Sequence, residues 1–454
     1  MHTKILVFAV LLFNFARAGF CESTRCGDST FIRRVYLDLT GTLPTAQEAR
    51  TFLADVGPNR RAILVDKLLD SPEFTDFQAM RWSDVLRVKA EFPINLWPAG
   101  AAAYYRWIHE AVRTNKPYDK FVRELLLSDG SNFRNGAVNF WRAVPVKDAD
   151  MLAETAAQTF LGKEQVSQWL TPFFSRVGYK ATAEWKEEII YWTHKPLNNP
   201  NVIFPDGTKG TVPDGIDPRA VLADWLVSPK NNEFNQCVVN RVWSWLCGTE
   251  NSVSRPLSGK LCQELVESKY DLKHLYRFIA NSEEYQSTAY PVRRIEAEVL
   301  QDALAKIFNV QISYTSEVPE PYTYIPARCR TVMLADASVT SMFLETFGRS
   351  SRDTGLDSDR NNDITESQEL FLLNSTEVNS WISKYAQRLI GNWKRFEGNK
   401  VINEIYLTFL SRYPTDKELD IIKKQFSRSA VPPMQTMQDI IWALLNTKEF
   451  LCKH

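Results

Sequence analysis

The sequence predicts a mainly α-helical protein of two helical domains, joined by a loop-rich linker that contains a small β-hairpin. Apolar residues recur at helical spacing through most of residues 29–194 and 218–454. Serine, threonine and proline stand where these helices would begin. Residues 195–217, in contrast, are rich in Pro, Asn, Gly and Asp, which favour turns and loops. We therefore place the domain boundary in this linker.

The first residues have the pattern of a secretory signal peptide. Lys4 provides a positive charge, residues 5–15 an apolar stretch, and residues 16–18 a small-x-small cleavage site. We expect residues 1–18 to be removed and residues 19–28 to form a flexible N-terminus. Because no segment of the chain approaches the roughly 20 apolar residues that cross a membrane, we predict no transmembrane segment in the mature chain. The predicted location is secreted or periplasmic.

The N-terminal domain reads as consecutive helices with few strand signals. A proline at position 117 separates two of them, as expected where proline ends a helix. The helical spacing predicts helices over residues 31–39, 47–54, 60–69, 72–88, 101–113, 118–127 and 148–161.

The linker and the C-terminal domain follow. Within the linker, residues 202–204 and 211–212 are β-prone and flank a turn that contains Asp206-Gly207, which predicts the hairpin. The C-terminal domain begins near Pro218 and is again helical. Residues 310–334 carry several prolines, so we expect an irregular segment there.

One short pattern occurs in both domains. Arg-Ala-Ile-Leu at 61–64 leads to Ser71-Pro72, and Arg-Ala-Val-Leu at 219–222 leads to Ser228-Pro229. Each copy reads as an amphipathic helix followed by a serine that can cap the next helix, with proline at its first position.

A longer pattern relates residues 36–74 to residues 406–450. In each segment a Tyr-Leu helix is followed at the same spacing by Pro-Thr-x-x-Glu, where the Thr and Glu of a capping box satisfy each other's backbone donors. Both segments close on an Asp or Asn, a Ser or Thr, and then Glu-Phe. We interpret them as related helical units; convergent capping chemistry is the alternative.

Composition excludes several classes of protein. With 54 basic and 54 acidic residues and no basic stripe, the chain is not expected to bind nucleic acid. Its seven cysteines include no CxxC, which argues against zinc ribbons, thioredoxin chemistry and covalent haem. An exported chain can form disulfides, but for Cys237 and Cys247 a buried, unpaired thiol is as compatible with the sequence as a disulfide.

Several motifs resemble one exported family. They are Phe-Ile-Arg-Arg-Val-Tyr-Leu-Asp-Leu-Thr-Gly at 31–41, the segment 64–74, Lys-Pro-Tyr-Asp-Lys-Phe-Val at 116–122, and Thr-Ala-Ala-Gln-Thr-Phe-Leu-Gly at 155–162. These resemble the planctomycete cytochrome-associated family, domain of unknown function 1549. The second half is similar to its usual companion, domain of unknown function 1553, at 238–243, 270–275, 293–300 and 372–374. The resemblance implies secretion and an association with polysaccharide processing, but no reaction.

The chain departs from this family at two places. The CxxCH-type stretch that typically follows the Phe-Leu-Gly motif is absent after Gly162. Leu356 and Ser358 stand where many members carry a CxC. Haem binding and thiol-linked metal binding therefore do not carry over to this chain.

An acidic loop is the best candidate for a metal site. Asp357, Asp359, Asn361 and Asp363 place oxygen side chains at every second position, as in a calcium loop. The match is incomplete, because the loop lacks the usual glycine, and residue 368, where a bidentate acid belongs, is a glutamine. The alternative is a polar loop that caps the helix after it, with Asp363 or Thr365 as the cap. Calcium is the one cofactor that the sequence suggests.

No other pattern indicates a catalytic site. HExxH, GxSxG, a Walker loop and GxGxxG are all absent, and we interpret His109, His194 and His274 as structural or exposed. Tryptophan and tyrosine are dense between residues 82 and 245. A carbohydrate-binding surface would use exposed, coplanar rings, but the helical spacing of most of these aromatics favours core packing.

The sequence therefore favours an exported helical scaffold or binding protein of the cell envelope, with other envelope proteins or polysaccharide as partners. An enzyme that acts on polysaccharide through carboxylates assembled in space is the alternative. A redox carrier is third, because the cysteines it would need are missing.

Overall fold

The computed structural model describes residues 25–248, 253–393, 398–427 and 431–454. It is mainly α-helical with a few short strands, which confirms the predicted fold class. The predicted signal peptide, residues 1–18, and most of the predicted flexible N-terminus lie outside these ranges. Within the ranges, no helix has both the length and the apolar character that crossing a membrane requires.

The seven helices predicted for the first half are all present, with ends that agree to within a few residues, and an eighth follows them. Helices of this half are α1 (Asp28–Thr40), α2 (Ala46–Ala54), α3 (Arg60–Leu69), α4 (Pro72–Val85), α5 (Pro98–Arg113), α6 (Tyr118–Leu127), α7 (Ala149–Leu161) and α8 (Ser167–Phe174).

A small sheet that the sequence did not predict lies inside the first half. It contains β1 (Gly130–Ser131), β2 (Val177–Ala181) and β3 (Glu188–Trp192), in the order β1-β3-β2, with antiparallel neighbours. Only Ile190 of β3 is fully buried, so most of this sheet faces outward. Such short, half-exposed strands give little alternation of polar and apolar residues.

The predicted hairpin in the linker is present. It joins β4 (Asn201–Ile203) to β5 (Lys209–Thr211), and Asn201 lies opposite Thr211. Gly207 in its turn has a φ of +83°, a conformation that glycine adopts without strain. Phe204 stacks on Trp225 with ring centroids 5.1 Å apart, which attaches the hairpin to the helix that follows.

The second half is also helical and contains one further strand pair. Its elements are α9 (Pro218–Leu226), α10 (Asn232–Cys247), α11 (Arg255–Glu267), α12 (Leu272–Ala280), β6 (Arg293–Arg294), α13 (Ala297–Phe308), α14 (Met342–Thr346), α15 (Glu366–Asn374), α16 (Thr376–Trp393), α17 (Gly398–Leu410), α18 (Asp416–Phe426), α19 (Pro433–Leu445), α20 (Lys448–Leu451) and β7 (Cys452–Lys453). β6 and β7 pair antiparallel, with Arg293 opposite Lys453.

Two hydrophobic clusters form the core, and helices α1 and α4 contribute to both. The first cluster gathers residues between 26 and 290, together with Leu407. The second gathers residues 295–450 and also takes Leu37, Phe77 and Met80 from α1 and α4. The domain boundary at residues 195–217 stays a prediction, and apolar packing links the chain on its two sides.

The two related units have the same order of elements. Each is a helix, a helix with a capping box, a third helix, and a helix that begins after a Ser or Thr cap. Thr45 pairs with Glu48 in the first capping box, and Thr415 pairs with Glu418 in the second. Phe74 and Phe450, which close the two units, are both buried. The capping predicted for both units is therefore confirmed.

The two copies of the shorter pattern, at residues 61–72 and 219–229, have only partly the same structure. Ser71 caps α4, and its Oγ accepts a hydrogen bond from the N–H of Phe74 at 3.2 Å. In the second copy Asn231, rather than Ser228, is the N-cap of the following helix. The prediction that Ser228 caps this helix is wrong, because the chain turns for two more residues before α10 begins.

Candidate functional site

A cavity of about 580 Å³ lies where α4, the C-terminal end of α10, β6 and the segment 350–364 meet. Its walls come from both halves of the chain and carry charged side chains of both signs. The charged residues that line it are Arg81, Asp84, Arg293, Arg294, Glu296, Asp357, Arg360 and Asp363.

Glu296, which lines this cavity, is held between two cations. Its Oε1 accepts hydrogen bonds from Lys453 Nζ at 2.7 Å and from Arg81 Nη2 at 3.2 Å. Burial alone would raise the pKa of this carboxyl, but Lys453 and Arg81 outweigh burial and hold its pKa well below the ordinary range. Glu296 is therefore ionised at neutral pH and has no proton to donate as a general acid.

Behind Glu296 lies a second buried carboxylate, Asp38 of α1. Its Oδ2 accepts hydrogen bonds from the hydroxyls of Tyr285 at 3.0 Å and Tyr290 at 2.8 Å. Its Oδ1 lies 3.2 Å from Lys453 Nζ. Lys453 thus forms ion pairs with two buried acids, one from each half of the chain.

A further group of charges joins α4 to the second half. Arg360 donates to Asp84 Oδ2 at 2.7 Å and to Glu298 Oε2 at 2.6 Å. Arg352 donates to the other oxygen of Asp84 at 2.8 Å. Burial favours the neutral form of Glu298, but the Arg360 guanidinium overcomes that effect and lowers its pKa. Asp84 and Glu298 are therefore both paired with cations.

The two arginines of β6 are bonded to main-chain carbonyls. Arg293 Nη2 donates to the carbonyl of Leu246 at 2.7 Å, in the last turn of α10, and also to the Tyr290 hydroxyl. Arg294 Nη2 donates to the carbonyl of Asn361 at 2.7 Å. The guanidinium groups around the cavity therefore stabilise the protein's own acids and helix ends.

The acidic loop predicted from the sequence forms one wall of this cavity, but its four side chains do not converge. Asp357 and Asp363 are exposed and line the cavity. Asp359 accepts hydrogen bonds from the N–H groups of Thr354 at 2.8 Å and Gly355 at 3.0 Å. Asn361 Oδ1 accepts a hydrogen bond from the N–H of Asp363 at 2.9 Å.

This arrangement does not fit a calcium ion, which takes about six to eight oxygen ligands. Two of the four side chains are bonded within the loop, and no three acidic, histidine or cysteine side chains in the described ranges are grouped to hold a metal. Thr365 is the N-cap of α15, and its N–H donates to Gln368 Oε1 at 3.3 Å. The calcium site stays a prediction, and the geometry favours the capped-loop alternative.

A second candidate feature is an exposed aromatic cluster away from the cavity. The ring centroids of Trp97 and Trp185 are 4.7 Å apart, and those of Trp185 and Tyr322 are 5.4 Å apart. Trp185 is 57% exposed and Tyr322 is 50% exposed. Lys186 Nζ lies 5.7 Å from the ring centroid of Trp185. We call Trp97, Trp185 and Tyr322 the aromatic surface.

Most of the other aromatics are buried, which confirms the core interpretation for them. They include Trp82, Tyr104, Tyr105, Trp141, Trp243 and Trp245. Dense helical spacing predicted this burial. Sequence spacing gave no signal for the aromatic surface, because its rings come from three separate segments.

Histidines and cysteines form no nucleophilic arrangement in the part of the chain that the structure describes. Nε2 of His109 lies 3.0 Å from Asp76, and Nε2 of His274 lies 3.0 Å from Glu264. The described cysteines form no disulfide with one another, and burial raises the pKa of the Cys247 thiol to about 12. A thiol with so high a pKa is a poor nucleophile at neutral pH.

Comparison with known families agrees with this two-part chain. Residues 9–175 match the family described as PSCyt2, protein of unknown function (DUF1549), and residues 218–426 match the family described as PSD1, protein of unknown function (DUF1553). The chain is a DUF1549–DUF1553 protein. No curated protein and no solved structure matches it. The cavity of this DUF1549–DUF1553 protein takes Arg81 from the first matched segment and Arg293 from the second.

Proposed function

We propose that this DUF1549–DUF1553 protein is an exported, non-catalytic binding protein of the cell envelope, and that it binds polysaccharide through the aromatic surface. The observation that carries this proposal is the exposure of Trp185 and Tyr322 beside Trp97. Apolar rings exposed together mark interaction sites more often than scattered surface residues do. Sugar rings present C–H groups that pack on aromatic faces, while their hydroxyls stay in water.

The contacts among the three rings of the aromatic surface support a preformed binding site. Trp97 precedes α5, Trp185 lies in the turn between β2 and β3, and Tyr322 lies in the segment between α13 and α14. Each ring meets its neighbour edge to face, with interplanar angles of 69° for Trp97 and Trp185 and 73° for Trp185 and Tyr322. Edge-to-face contacts are favourable for aromatic pairs. The rings therefore hold one another in place without a ligand.

The same angles favour one kind of polysaccharide. Coplanar rings would suit the flat face of a crystalline polymer, which is the arrangement expected from sequence reasoning. Steeply inclined rings offer a curved surface instead. We expect binding to soluble, bent chains and little binding to crystalline cellulose or chitin.

The alternative, a polysaccharide hydrolase, has less support. Hydrolases of this kind use a pair of carboxylates flanking the bond, one of them able to donate a proton. Glu296 and Asp84 are ion-paired in the charged cavity. A second cavity, of about 560 Å³, is lined by Asp302, whose pKa is raised by burial. The oxygens of Asp302 accept hydrogen bonds from backbone N–H groups. Among the described residues, no other acid lines that cavity, so it lacks the second carboxylate.

Affinity electrophoresis on a panel of soluble polysaccharides tests the proposal. We expect retardation of the wild type by at least one polymer, and about tenfold weaker binding after Trp185→Ala or Tyr322→Ala, within the range of hot-spot losses. Trp169→Ala is the matched control, because Trp169 is 39% exposed on α8 and outside the cluster. Equal retardation of wild type and Trp185→Ala by every retarding polymer would contradict the proposal.

Export is tested separately. N-terminal sequencing of the protein from its native host should give a first residue at or near Gly19. An intact Met1 on protein from the cytoplasm would contradict export while leaving the binding experiment unaffected.

A further inference from the structure

We infer that the second cavity, of about 560 Å³, binds a small anionic sugar, in which a carboxylate or phosphate group is carried on a hydroxylated body. The cavity lies between the turn after α1, helix α13 and the segments 309–312 and 328–330. Its volume is within the range of about 300–1,000 Å³ that small-molecule sites occupy. It shares no residue with the aromatic surface, and the inference does not rest on the proposed function.

The charged residues that line this cavity do not balance. They are one acid, Asp302, and three cations, Lys306, Arg328 and Arg330. Arg330 forms ion pairs with Asp302 at 3.7 Å and with Asp76, which is outside the lining, at 3.2 Å. Lys306 and Arg328 are exposed and form no ion pair with any residue that the structure describes. The charge that the cavity leaves unpaired is therefore positive, which complements an anion.

Asp302 does not offer its charge to a cationic ligand, because the protein's own donors occupy it. Its Oδ1 accepts a hydrogen bond from the N–H of Thr331 at 2.7 Å, and its Oδ2 accepts one from the N–H of Val332 at 3.2 Å. The Arg330 guanidinium faces the same carboxylate. A cation would have to displace these groups from the one acid that lines the cavity among the described residues.

Hydrogen bonding gives an independent indication of the same sign. An ammonium group has three N–H donors, and in the described part of the chain the one acceptor of Lys306 Nζ is the carbonyl of Leu43, at 3.1 Å. Arg328 has no acceptor among the described residues, and Nη2 of Arg330 is buried without one. No buried acceptor on a described lining side chain lacks a donor. The unpaired groups are thus donors, and carboxylate or phosphate oxygens are strong acceptors for them.

The neutral part of the lining indicates the body of the ligand. Asn309 and Gln311 are exposed and present carboxamides, each of which can donate and accept hydrogen bonds, and Thr42 adds a hydroxyl. These groups match the hydroxyls of a sugar. Val310 and Ile312 are half-buried and offer apolar contact to its C–H groups.

Isothermal titration calorimetry on the whole protein, with glucuronate, glucose 6-phosphate and glucose as ligands, tests this inference. We expect at least one of the two anions to bind about tenfold or more tightly than glucose, because the neutral sugar lacks the charge-assisted bonds. Added salt should weaken this binding. Tighter binding of glucuronate would identify a carboxylate as the anionic group, and tighter binding of glucose 6-phosphate a phosphate. Acetate and inorganic phosphate should bind more weakly than the corresponding sugar, because they lack the hydroxylated body.

Variants place the binding at this cavity. Lys306→Gln combined with Arg328→Gln should weaken binding of the anionic sugar about tenfold or more. Arg106→Gln combined with Lys417→Gln is the matched control, since both residues are exposed, on α5 and α18, and neither lines the cavity. Arg328→Gln alone should also weaken binding and keep the wild-type melting temperature, because Arg328 is bonded to no described residue.

Three outcomes would overturn the inference. If neither anion bound more tightly than glucose, the unpaired cations would have no role in binding. If the Arg328→Gln protein and the double variant both bound the anion like the wild type, the ligand would lie elsewhere. If acetate and inorganic phosphate bound as tightly as the two anionic sugars, the cavity would hold a simple ion rather than a sugar.

Discussion

Lys453 Nζ lies 2.7 Å from Glu296 Oε1, and both side chains are buried. The pair joins β7 to the residue before α13. Because Lys453 also faces Asp38, its removal would leave two buried carboxylates without their shared cation. A buried charge that loses its partner is strongly destabilising.

Lys453→Met should therefore lower the free energy of unfolding by about 3–5 kcal/mol. Urea unfolding followed by circular dichroism measures this change. Lys147→Met is the matched control, because Lys147 pairs with Glu188 at the surface, where such a pair contributes about 1 kcal/mol or less. If both variants lowered the free energy of unfolding equally, the buried Lys453 pair would contribute no more to stability than a surface pair.

Acid should destabilise the protein through Glu296 and Glu298. The cations beside them lower both pKa values, so each acid contributes stability that is present above its unfolded pKa of about 4.3 and is lost as pH falls through the folded value. We expect the free energy of unfolding to fall steeply below about pH 4.5. In Lys453→Met the pKa of Glu296 should rise toward its unfolded value, so Glu296 should contribute less to the decline and the pH profile should be shallower than that of the wild type. An unchanged pH profile for Lys453→Met would contradict this assignment.

Arg412 distinguishes the two related units. It donates to Glu418 Oε2 at 2.9 Å and to Glu449 Oε1 at 2.6 Å, whereas the corresponding position of the first unit is Thr42. Arg412→Thr should lower the free energy of unfolding by about 2 kcal/mol, since charge-assisted bonds to two partly buried acids are lost. Arg50→Ala is the control, since its bonds to Glu404 and Gln47 are both exposed and should contribute less than about 1 kcal/mol. Thermal unfolding of the two variants measures both effects. If Arg412→Thr destabilised the protein no more than Arg50→Ala, Arg412 would not have this stabilising role.

Asp359 tests the two interpretations of the acidic loop. Its carboxylate accepts hydrogen bonds from Thr354 and Gly355, so Asp359→Ala should lower the melting temperature in the absence of calcium. Adding millimolar calcium should change the wild-type melting temperature little, because the loop oxygens do not converge. A clear calcium-dependent rise that Asp359→Ala abolishes would instead establish a calcium site, since a ligand that favours the folded state stabilises it.

Local features were the predictable part of this fold. The capping boxes of Thr45 and Thr415 depend on residues three positions apart, and the Gly207 turn on its neighbours, so short patterns sufficed to find them. The cap of α10 was missed because Asn231, three residues after Ser228, is an equally good cap.

The charged cavity and the aromatic surface could not be predicted from the sequence, for a physical reason. Arg360 meets Asp84, and Trp97 meets Tyr322, although about half of the chain or more lies between the two residues of each pair. No periodicity relates such residues, because their contact depends on how helices pack rather than on spacing along the sequence. Sequence reasoning did locate Asp357 and Asp363, but it could not show that they face a cavity.

The partners of Asp38 bear on how the two family modules came to share a chain. In the ranges that the structure covers, every hydrogen-bond and ion-pair partner of this carboxylate lies after residue 280: Tyr285, Tyr290, Arg293 and Lys453. A DUF1549 segment made alone would lack all four of these partners. Separation or exchange of the modules by recombination would then yield a protein that folds poorly. The two modules of this chain are thus joined electrostatically through Asp38.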